Sequence, residues 1–289
     1  MNIAYLIIAH KDIHQVYRLI DRLDAENVYF FIHVKQSYQL TLSPEYAHKK
    51  NVVFIDKRFN AGWCGYKVLL ATLELIKTAL MQEQRFDYFI NLSGNCYPIV
   101  SNEAIHDYLN DHAGSNFIEG RPLTDSKFPD NGMNKINLPW FQDEFQNFNS
   151  YIKKGLHQAI QWPYRLFNLT RKLPGHLLPY GGSQWWALTH EVVQFIYNSS
   201  LEHPKLVNFF KRSWCSDELY IQMILYNNDD FKEKLINKPF RFMDWNTNGP
   251  PKTLTLDDYD RLMASDHVFA RKFDPIGSAD LIILLDRQI

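Results

Sequence analysis

The chain has 289 residues, a formal net charge of −1, and hydrophobic and aromatic shares of 46% and 15%. This length suits one large domain, and the apolar share is enough for a sizeable core. The balanced charge argues against a dedicated nucleic-acid-binding protein, because such proteins usually carry a marked basic excess.

The first half of the chain alternates predicted strands and helices. Apolar runs at 3–9, 28–34, 52–55 and 88–92 predict strands, and apolar residues at helical spacing predict helices over 16–23 and 68–80. This alternation predicts an α/β fold with a mostly parallel central sheet flanked by helices.

Candidate ligand-binding residues lie where these predicted strands end. In parallel sheets, ligands bind beyond the carboxyl ends of the strands. The residues at those positions are His10, His33, Val34, Ser93 and Gly94. His10 and His14 have the i, i+4 spacing of a zinc pair, but His10 ends a strand and no H-E-x-x-H motif is present, so we expect no metal there.

The segment 121–179 loses this regular alternation and is rich in proline. Between residues 151 and 180 there are five cations and no acid; the cations are Lys153, Lys154, Arg165, Arg171 and Lys172. One interpretation is contact with an anionic membrane surface or a lipid-linked acceptor. The other interpretation is that the segment forms a cleft wall facing the molecule that accepts a transferred group. We favour this second interpretation because prolines interrupt any long amphipathic helix.

Regular elements resume after residue 180. A strand is predicted at 180–188, helices at 191–197, 217–226, 256–264 and 278–285, and a further strand at 240–245. Two adjacent tryptophans, Trp185 and Trp186, lie in the first of these strands. We expect one indole to be in the core and the other to be able to stack on an acceptor sugar.

Glu218 is the candidate catalytic base. Ser216 is a good helix N-cap, which predicts that Asp217 and Glu218 occupy the first turn of a helix. Acids are common in that turn because they complement the helix dipole, so a purely structural role stays open. A catalytic role requires one ionised carboxylate held over a cleft, and a helix start can provide it.

Three cations near the C-terminus could stabilise the diphosphate that leaves when a sugar is transferred from a nucleotide sugar. They are Lys252, Arg271 and Lys272. They could act as fixed charges in a partly dry site, although most such side chains are simply solvated. The D-x-D motif at 258–260 falls in a predicted helix, where residues two apart point about 200° away from each other. We therefore expect no metal and no other cofactor, as in a metal-free glycosyl transfer.

The cysteines and the N-terminus bear on the cellular compartment. Cys64, Cys96 and Cys215 are widely spaced and odd in number, which predicts reduced thiols in a reducing compartment. The apolar run at 3–9 is too short to cross a membrane and lacks the features of a signal peptide. We expect a cytoplasmic, bacterial enzyme, with peripheral contact at the inner face of the plasma membrane if residues 151–180 bind lipid.

Seven motifs occur in the same order as in a known enzyme family. They are AYLIIAHK (4–11), FIHV (31–34), GWCGY (62–66) with ATL (71–73), YFINLSG (88–94) with YPI (97–99), GSQWWAL (182–188), SDE (216–218) and FARKF (269–273). Together these segments resemble the core-2/I-branching β-1,6-N-acetylglucosaminyltransferase family, glycosyltransferase family 14, which includes the peptide O-xylosyltransferases.

The resemblance implies a GT-A-type α/β fold and an inverting mechanism without a metal. It implies that Glu218 is the catalytic base and that Lys272 binds the diphosphate, with Lys252 as the nearest match to a second cation. Glu119 resembles an acid that contacts the acceptor. Two positions depart from the family, which commonly has aspartate where this chain has Lys35 and Cys96, and these departures leave the donor sugar open.

The resulting functional hypothesis is transfer of a sugar from a UDP-sugar to a hydroxyl of a glycan or lipid-linked glycan. We expect the sugar to be N-acetylglucosamine; the alternatives are xylose or another pentose, or a non-catalytic carbohydrate-binding relative. We expect a single domain over 1–289, with a nucleotide-sugar-binding half (1–120), a variable acceptor-facing segment (121–179) and a catalytic, diphosphate-binding half (180–289).

Overall fold

The computed structural model describes residues 1–125, 128, 132–246 and 250–288. Residues 126–127 and 129–131, which belong to the predicted acceptor-facing segment, therefore lie outside the described residues. Within the described ranges the strands are β1 Ile3–Ala9, β2 Val28–Val34, β3 Val52–Phe54, β4 Tyr88–Ser93, β5 Cys96–Pro98, β6 Asn116–Pro122, β7 Tyr180–Thr189, β8 Leu235–Ile236, β9 Phe242–Met243 and β10 Phe269–Arg271.

Helices of very different length connect these strands. They are α1 Ile13–Leu23, α2 Pro44–Ala47, α3 Tyr66–Leu80, α4 Asn102–Asp111, α5 Asn134–Asn137, α6 Ser150–Leu166, α7 His190–Glu202, α8 Pro204–Phe209, α9 Tyr220–Tyr226, α10 Asp229–Lys232, α11 Tyr259–Met263 and α12 Ala279–Gln288. Three 3-10 turns lie at Phe210–Arg212, Ser216–Glu218 and Leu256–Asp258.

A seven-stranded sheet with the order β3-β2-β1-β4-β7-β6-β8 forms the centre of the fold. The pairs β1/β2, β1/β4, β2/β3 and β6/β8 are parallel, whereas β7 runs antiparallel to both β4 and β6. The predicted α/β architecture with a mostly parallel sheet is therefore confirmed, and it is the GT-A-type fold that the family resemblance implies. A second sheet has the order β5-β10-β9.

The core lies on both faces of the large sheet because side chains alternate along each strand. In β1, Ile3, Tyr5 and Ile7 belong to one buried cluster, and Ala4 and Leu6 belong to the other. Both faces of a parallel sheet are covered by helices, which explains why β1 is an uninterrupted apolar run in the sequence.

Two predicted elements differ from the structure. The strand predicted at 240–245 is reduced to β9 and pairs with β10 in the small sheet. The prolines of the 121–179 segment do not prevent a long helix, because α6 spans 17 residues and its one internal proline, Pro163, falls in the last turn.

Candidate active site

Sheet topology brings the carboxyl ends of β1 and β4 together. The Gly94 amide donates to the Ile8 carbonyl at 3.1 Å, and Ser93 pairs with Ile8 across the two strands. A β-carbon on Gly94 would lie 3.1 Å from a methyl group of Val16, so the chain passes too close to α1 to accommodate a larger residue easily. His10 follows β1 at this edge, as predicted.

The side chains of His33 and Val34 are not available to a ligand, contrary to expectation. Both residues are buried, and Nε2 of His33 accepts a hydrogen bond from the Phe59 amide at 2.8 Å. Burial lowers the pKa of His33 to about 4, so its ring is neutral and structural at physiological pH. Any contact from this strand end would involve the backbone.

Arg271 and Lys272 place positive charge beside these strand ends. Nε of Arg271 donates to the Ser93 hydroxyl at 3.3 Å. Burial and the neighbouring Lys11 lower the pKa of His10, and the charges of Lys272 and Arg271 lower it further. Because their charges affect His10, both cations lie near the end of β1, where the sequence predicted ligand binding.

Lys252 lies in the same part of the fold but is paired. The Leu254 amide donates to the Lys272 carbonyl, which joins the two lysine segments, and Nζ of Lys252 lies 2.7 Å from the Asp258 carboxylate. Burial by itself raises the pKa of Asp258. Hydrogen bonds from Lys252 and from the Thr255 amide nevertheless hold this pKa below its ordinary value. Asp258, the first acid of the D-x-D motif, is thus bound by protein groups.

The two tryptophans of β7 are not positioned to stack on an acceptor. Trp186 is 1% exposed and belongs to the core. Trp185 is also buried, and its ring is contacted by the guanidinium groups of Arg241 and Arg271, at 4.1 and 5.2 Å from the ring centroid. Trp186 is thus the core indole that we expected, but the prediction that the other indole stacks on an acceptor sugar is wrong, because Trp185 is buried and its ring is contacted by cations.

Arg241 was not identified from the sequence as part of this region. Its guanidinium is buried and donates to the Asn91 carbonyl and to Sγ of Cys96. Burial lowers the pKa of Arg241 to about 10, even though Cys96 opposes that shift. Cys96 is one of the two positions that depart from the family pattern, and Arg241 joins it to the ring of Trp185.

Glu218 lies in a 3-10 turn rather than at the start of a long helix. Cys215 precedes the turn in a left-handed conformation (φ 54°), and Ser216 is not an N-cap, because its hydroxyl donates to the Phe210 carbonyl at 2.7 Å. The predicted helix begins only at Tyr220. The turn nevertheless holds the Glu218 side chain at the surface, where it is 34% exposed.

Lys135 is the partner of Glu218, and no sequence pattern indicated this contact. Its Nζ lies 3.1 Å from Oε2 of Glu218, whereas Oε1 accepts no hydrogen bond from the described residues. The neighbouring Asp217 is buried, and burial together with the charge of Glu218 raises the pKa of Asp217 to about 8. Asp217 therefore keeps its proton at neutral pH, which leaves Glu218 as the surface acid of this pair.

A disulfide bond between Cys64 and Cys215 also holds the turn that carries Glu218. The Cys215 amide also donates to the Cys64 carbonyl at 3.1 Å, which ties the turn to the start of α3. The prediction of three reduced thiols is wrong for these two cysteines; Cys96 is a buried free thiol. Because the two cysteines are 151 positions apart in the sequence, no local pattern could predict the bond.

Aromatic side chains surround the turn. The ring of Trp214 lies 4.7 Å from Trp140 and 6.3 Å from Trp63, between ring centroids, and the Trp63 side chain is largely exposed. An exposed indole beside a candidate base is suited to stacking on a sugar. Trp214 and Trp63 each directly precede a half-cystine, so the disulfide brings the two tryptophans together.

Glu119, the predicted acceptor-contacting acid, lies on β6 and forms an ion pair with Arg121. A β-carbon on Gly182 would lie 1.9 Å from the Glu119 carbonyl oxygen, so glycine is required where β6 and β7 approach each other. The Glu119 carbonyl also accepts from the side chain of Gln222 at 3.4 Å, which links it to α9, the helix that follows the Glu218 turn.

Strand β7 connects the cationic and carboxylate parts of the site. A β-carbon on Gly181 would lie 3.4 Å from the Glu218 carbonyl, while Trp185 on the same strand contacts Arg271. Four residues of strand span roughly 13 Å, which separates the contact with the Glu218 turn from the contact with Arg271. Joint action of Glu218 and the cations on one substrate stays a prediction.

A sequence model described as Branch: Core-2/I-Branching enzyme matches residues 3–264. The chain belongs to this family. The match includes Glu218 and Lys252 but ends before Arg271 and Lys272. Family membership confirms the resemblance on which the sequence interpretation of the site depended.

Several curated proteins are similar over the whole chain. Xylosyltransferase oxt of Drosophila pseudoobscura pseudoobscura is 25% identical over 319 residues, covering 100% of this chain and 33% of that protein. Xylosyltransferase 2 of Rattus norvegicus is 24% identical over 310 residues, covering 99% and 33%, respectively. The chain thus spans about a third of the length of these relatives.

Solved structures show only distant likeness. Mouse xyloside xylosyltransferase 1 aligns over 93% of this chain and 97% of its own with 12% identity and a TM-score of 0.38. Core-mannan synthase A of Aspergillus fumigatus aligns over 80% and 71%, respectively, with 10% identity and a TM-score of 0.38. Neither similarity is strong enough to support a functional inference.

Proposed function

We propose that this chain is an inverting glycosyltransferase that moves a sugar from a UDP-sugar to a hydroxyl group of a glycan-containing acceptor. The proposal depends on the placement of Glu218 and Arg271 at opposite ends of one stretch of β7. Inverting transfer needs a base for the acceptor and positive charge for the leaving group, and this arrangement supplies both.

The carboxylate of Glu218 would act first on the acceptor. Its free Oε1 accepts the hydroxyl proton as the acceptor oxygen attacks the anomeric carbon from the face opposite the diphosphate. Lys135 remains on Oε2 and fixes the orientation of the carboxylate. The exposed Trp63 ring offers a surface on which an acceptor sugar can stack.

Positive side chains would act on the leaving group. As the bond between the anomeric carbon and the diphosphate oxygen breaks, its electron pair leaves with UDP, and Lys272 with Arg271 balances the charge. Lys252 contributes less, because its ammonium group already pairs with Asp258. That pairing also supports a metal-independent reaction, since a divalent ion at the D-x-D motif would have to displace a lysine.

Xylose is the favoured donor sugar. The similar curated proteins are named xylosyltransferases, which favours a UDP-pentose over the N-acetylglucosamine expected from the sequence. UDP-N-acetylglucosamine remains the second candidate, because the family description is that of a branching enzyme. The acceptor is proposed to be a glycan or a lipid-linked glycan. The cytoplasmic location stays a prediction, and the cysteines do not support it, because Cys64 and Cys215 form a disulfide bond.

The test is UDP release from a panel of UDP-sugars in the presence of a chelator, with and without glycan acceptors. We expect release with UDP-xylose, stimulated by an acceptor and insensitive to the chelator. Release only with UDP-N-acetylglucosamine would correct the donor, and a strict need for manganese or magnesium would contradict the role of the cations. Glycan binding without UDP release from any donor would identify a non-catalytic carbohydrate-binding protein.

A further inference from the structure

Helix α6 presents an apolar face to solvent. Tyr151, Ile152, Trp162 and Leu166 are 87%, 49%, 63% and 55% exposed. At 3.6 residues per turn these four side chains fall within an arc of about 100°. The two small residues that also fall in the arc, Gly155 and Ala159, leave it without a charge.

The fully buried positions of the same helix are polar. Nε2 of His157 accepts a hydrogen bond from the Phe141 amide, and the Gln161 side chain donates to the Pro139 carbonyl, both at 3.1 Å. A helix packed on a water-soluble protein usually buries its apolar stripe and exposes its polar face. In α6 the polar side chains anchor the helix and the largest apolar ones are left outside.

Apolar exposure continues beyond the helix. Of the sixteen large hydrophobic side chains that are exposed in the described residues, eight lie between positions 148 and 178. They include Phe167 and Leu169, which directly follow α6, and Leu178. We refer to Tyr151, Ile152, Trp162, Leu166, Phe167 and Leu169 as the α6 surface.

Cations flank this surface. Lys154 and Arg165 are exposed and lie on the same side of the apolar arc, about three helical turns apart, and Lys172 is exposed after the helix. No acid occurs between residues 151 and 180. Arg171 has a different role, because its guanidinium donates to backbone carbonyls of Ile136 and Phe209 and so fixes the segment that follows α6.

We propose that the α6 surface lies on an anionic lipid bilayer, with its aromatic and aliphatic side chains at the boundary of the headgroups. Tryptophan and tyrosine favour this boundary, and flanking lysine and arginine are attracted to anionic headgroups. The absence of any acid from the segment favours a negatively charged lipid surface over a protein partner of mixed charge. In the described part of the chain no helix could span a bilayer, so the contact is peripheral.

The test is co-sedimentation of the full chain with vesicles of phosphatidylcholine alone and of phosphatidylcholine mixed with phosphatidylglycerol. We expect binding to the mixed vesicles that weakens as salt is added. Tyr151→Ser with Trp162→Ser should weaken it at least about tenfold, because two large side chains lose their burial. Lys154→Gln with Arg165→Gln should weaken it by roughly fivefold for each cation removed.

Matched controls use exposed residues elsewhere. Met81→Ser with Leu201→Ser removes exposed apolar side chains from the residue after α3 and from α7, and Lys50→Gln with Lys205→Gln removes exposed cations. Both double variants should leave vesicle binding unchanged. Thermal unfolding verifies that each variant is folded. Failure to bind mixed vesicles at low salt, or equal binding by the Tyr151/Trp162 variant, would overturn the proposal. So would a dimer in light scattering that this variant dissociates, because a second copy would then cover the surface.

Discussion

The two halves of the proposed site are built in different ways. The cationic edge, formed by His10, Ser93, Arg271 and Lys272, is positioned by strands whose hydrogen-bonded register fixes the backbone. The turn that carries Glu218 lies outside the sheets. It is held by a lysine from α5 and by a disulfide bond to the start of α3.

This difference predicts different responses to substitution. At the cationic edge a changed side chain alters the charge presented to the donor while the strand stays in place. At the Glu218 turn the supports are themselves side chains, so their loss can move the base. Substitutions at the edge should therefore affect catalysis alone, and substitutions around the turn should affect catalysis and stability together.

The sharpest test of the turn is Glu218→Gln, which keeps shape but removes the base. We expect kcat to fall by about 10² to 10⁴, the usual contribution of a general base. Binding of UDP, measured by calorimetry, should be unchanged because the cations remain. Glu191→Gln on α7 is the control, since this exposed acid lies in another part of the structure. A Glu218→Gln enzyme as active as this control would contradict the assignment of Glu218 as the catalytic base.

The corresponding test of the cationic edge is Lys272→Met. Removing one preorganised charge from a leaving group costs roughly 10² to 10³ in kcat, and UDP should also bind more weakly. The free energy of unfolding should stay close to that of the unmodified chain. Lys77→Met on α3 is the control, and a similar kcat for the two variants would show that Lys272 does not face the diphosphate.

The contrast between the strand-positioned edge and the Glu218 turn also explains which features could be predicted from the sequence. The bounds of β1 and β2 were predicted correctly because buried parallel strands are continuous apolar runs. The positions of His10 and Ser93 followed from the same runs, since strand ends are local features, whereas Arg271 and Lys272 were candidates because of their charge and the family resemblance. The contact of Lys135 with Glu218 joins residues 83 apart through a segment without periodicity, so no sequence pattern indicates it.

Local reasoning failed in a second way at β7. A polar, aromatic motif predicted an acceptor platform, but the faces of Trp185 are contacted by Arg241 and Arg271. Arg241 comes from a part of the chain 56 positions away from Trp185 in the numbering. Only the folded arrangement shows that the space is already filled.

Removal of the disulfide tests whether the turn depends on side-chain supports. Cys64→Ser with Cys215→Ser should lower the free energy of unfolding by about 2–4 kcal/mol, because the unfolded chain loses a long-range cross-link. We also expect kcat to fall, since the turn is no longer tied to α3. Urea unfolding with and without a dithiol reductant provides the control. The reductant should destabilise the unmodified chain and leave the double variant unchanged; a reductant-insensitive unmodified chain would contradict the bond.

The last prediction concerns Asp217, whose raised pKa makes the stability of the turn depend on pH. The unfolded chain releases this proton near the ordinary value of about 4, whereas the native state holds it up to about 8. Between these values the native state binds more protons, so the free energy of unfolding falls as pH rises. The Asp217 contribution is complete below pH 4 and lost as pH passes 8.

Asp217→Asn removes this dependence while keeping the shape of the side chain. The slope of unfolding free energy against pH should become less negative between pH 5 and 8, by at most about 1.4 kcal/mol per pH unit. Urea unfolding at several pH values measures it. Asp257→Asn is the matched control, because this exposed acid lies in the 3-10 turn Leu256–Asp258. Parallel curves for all three proteins would mean that Asp217 is already ionised in the native state.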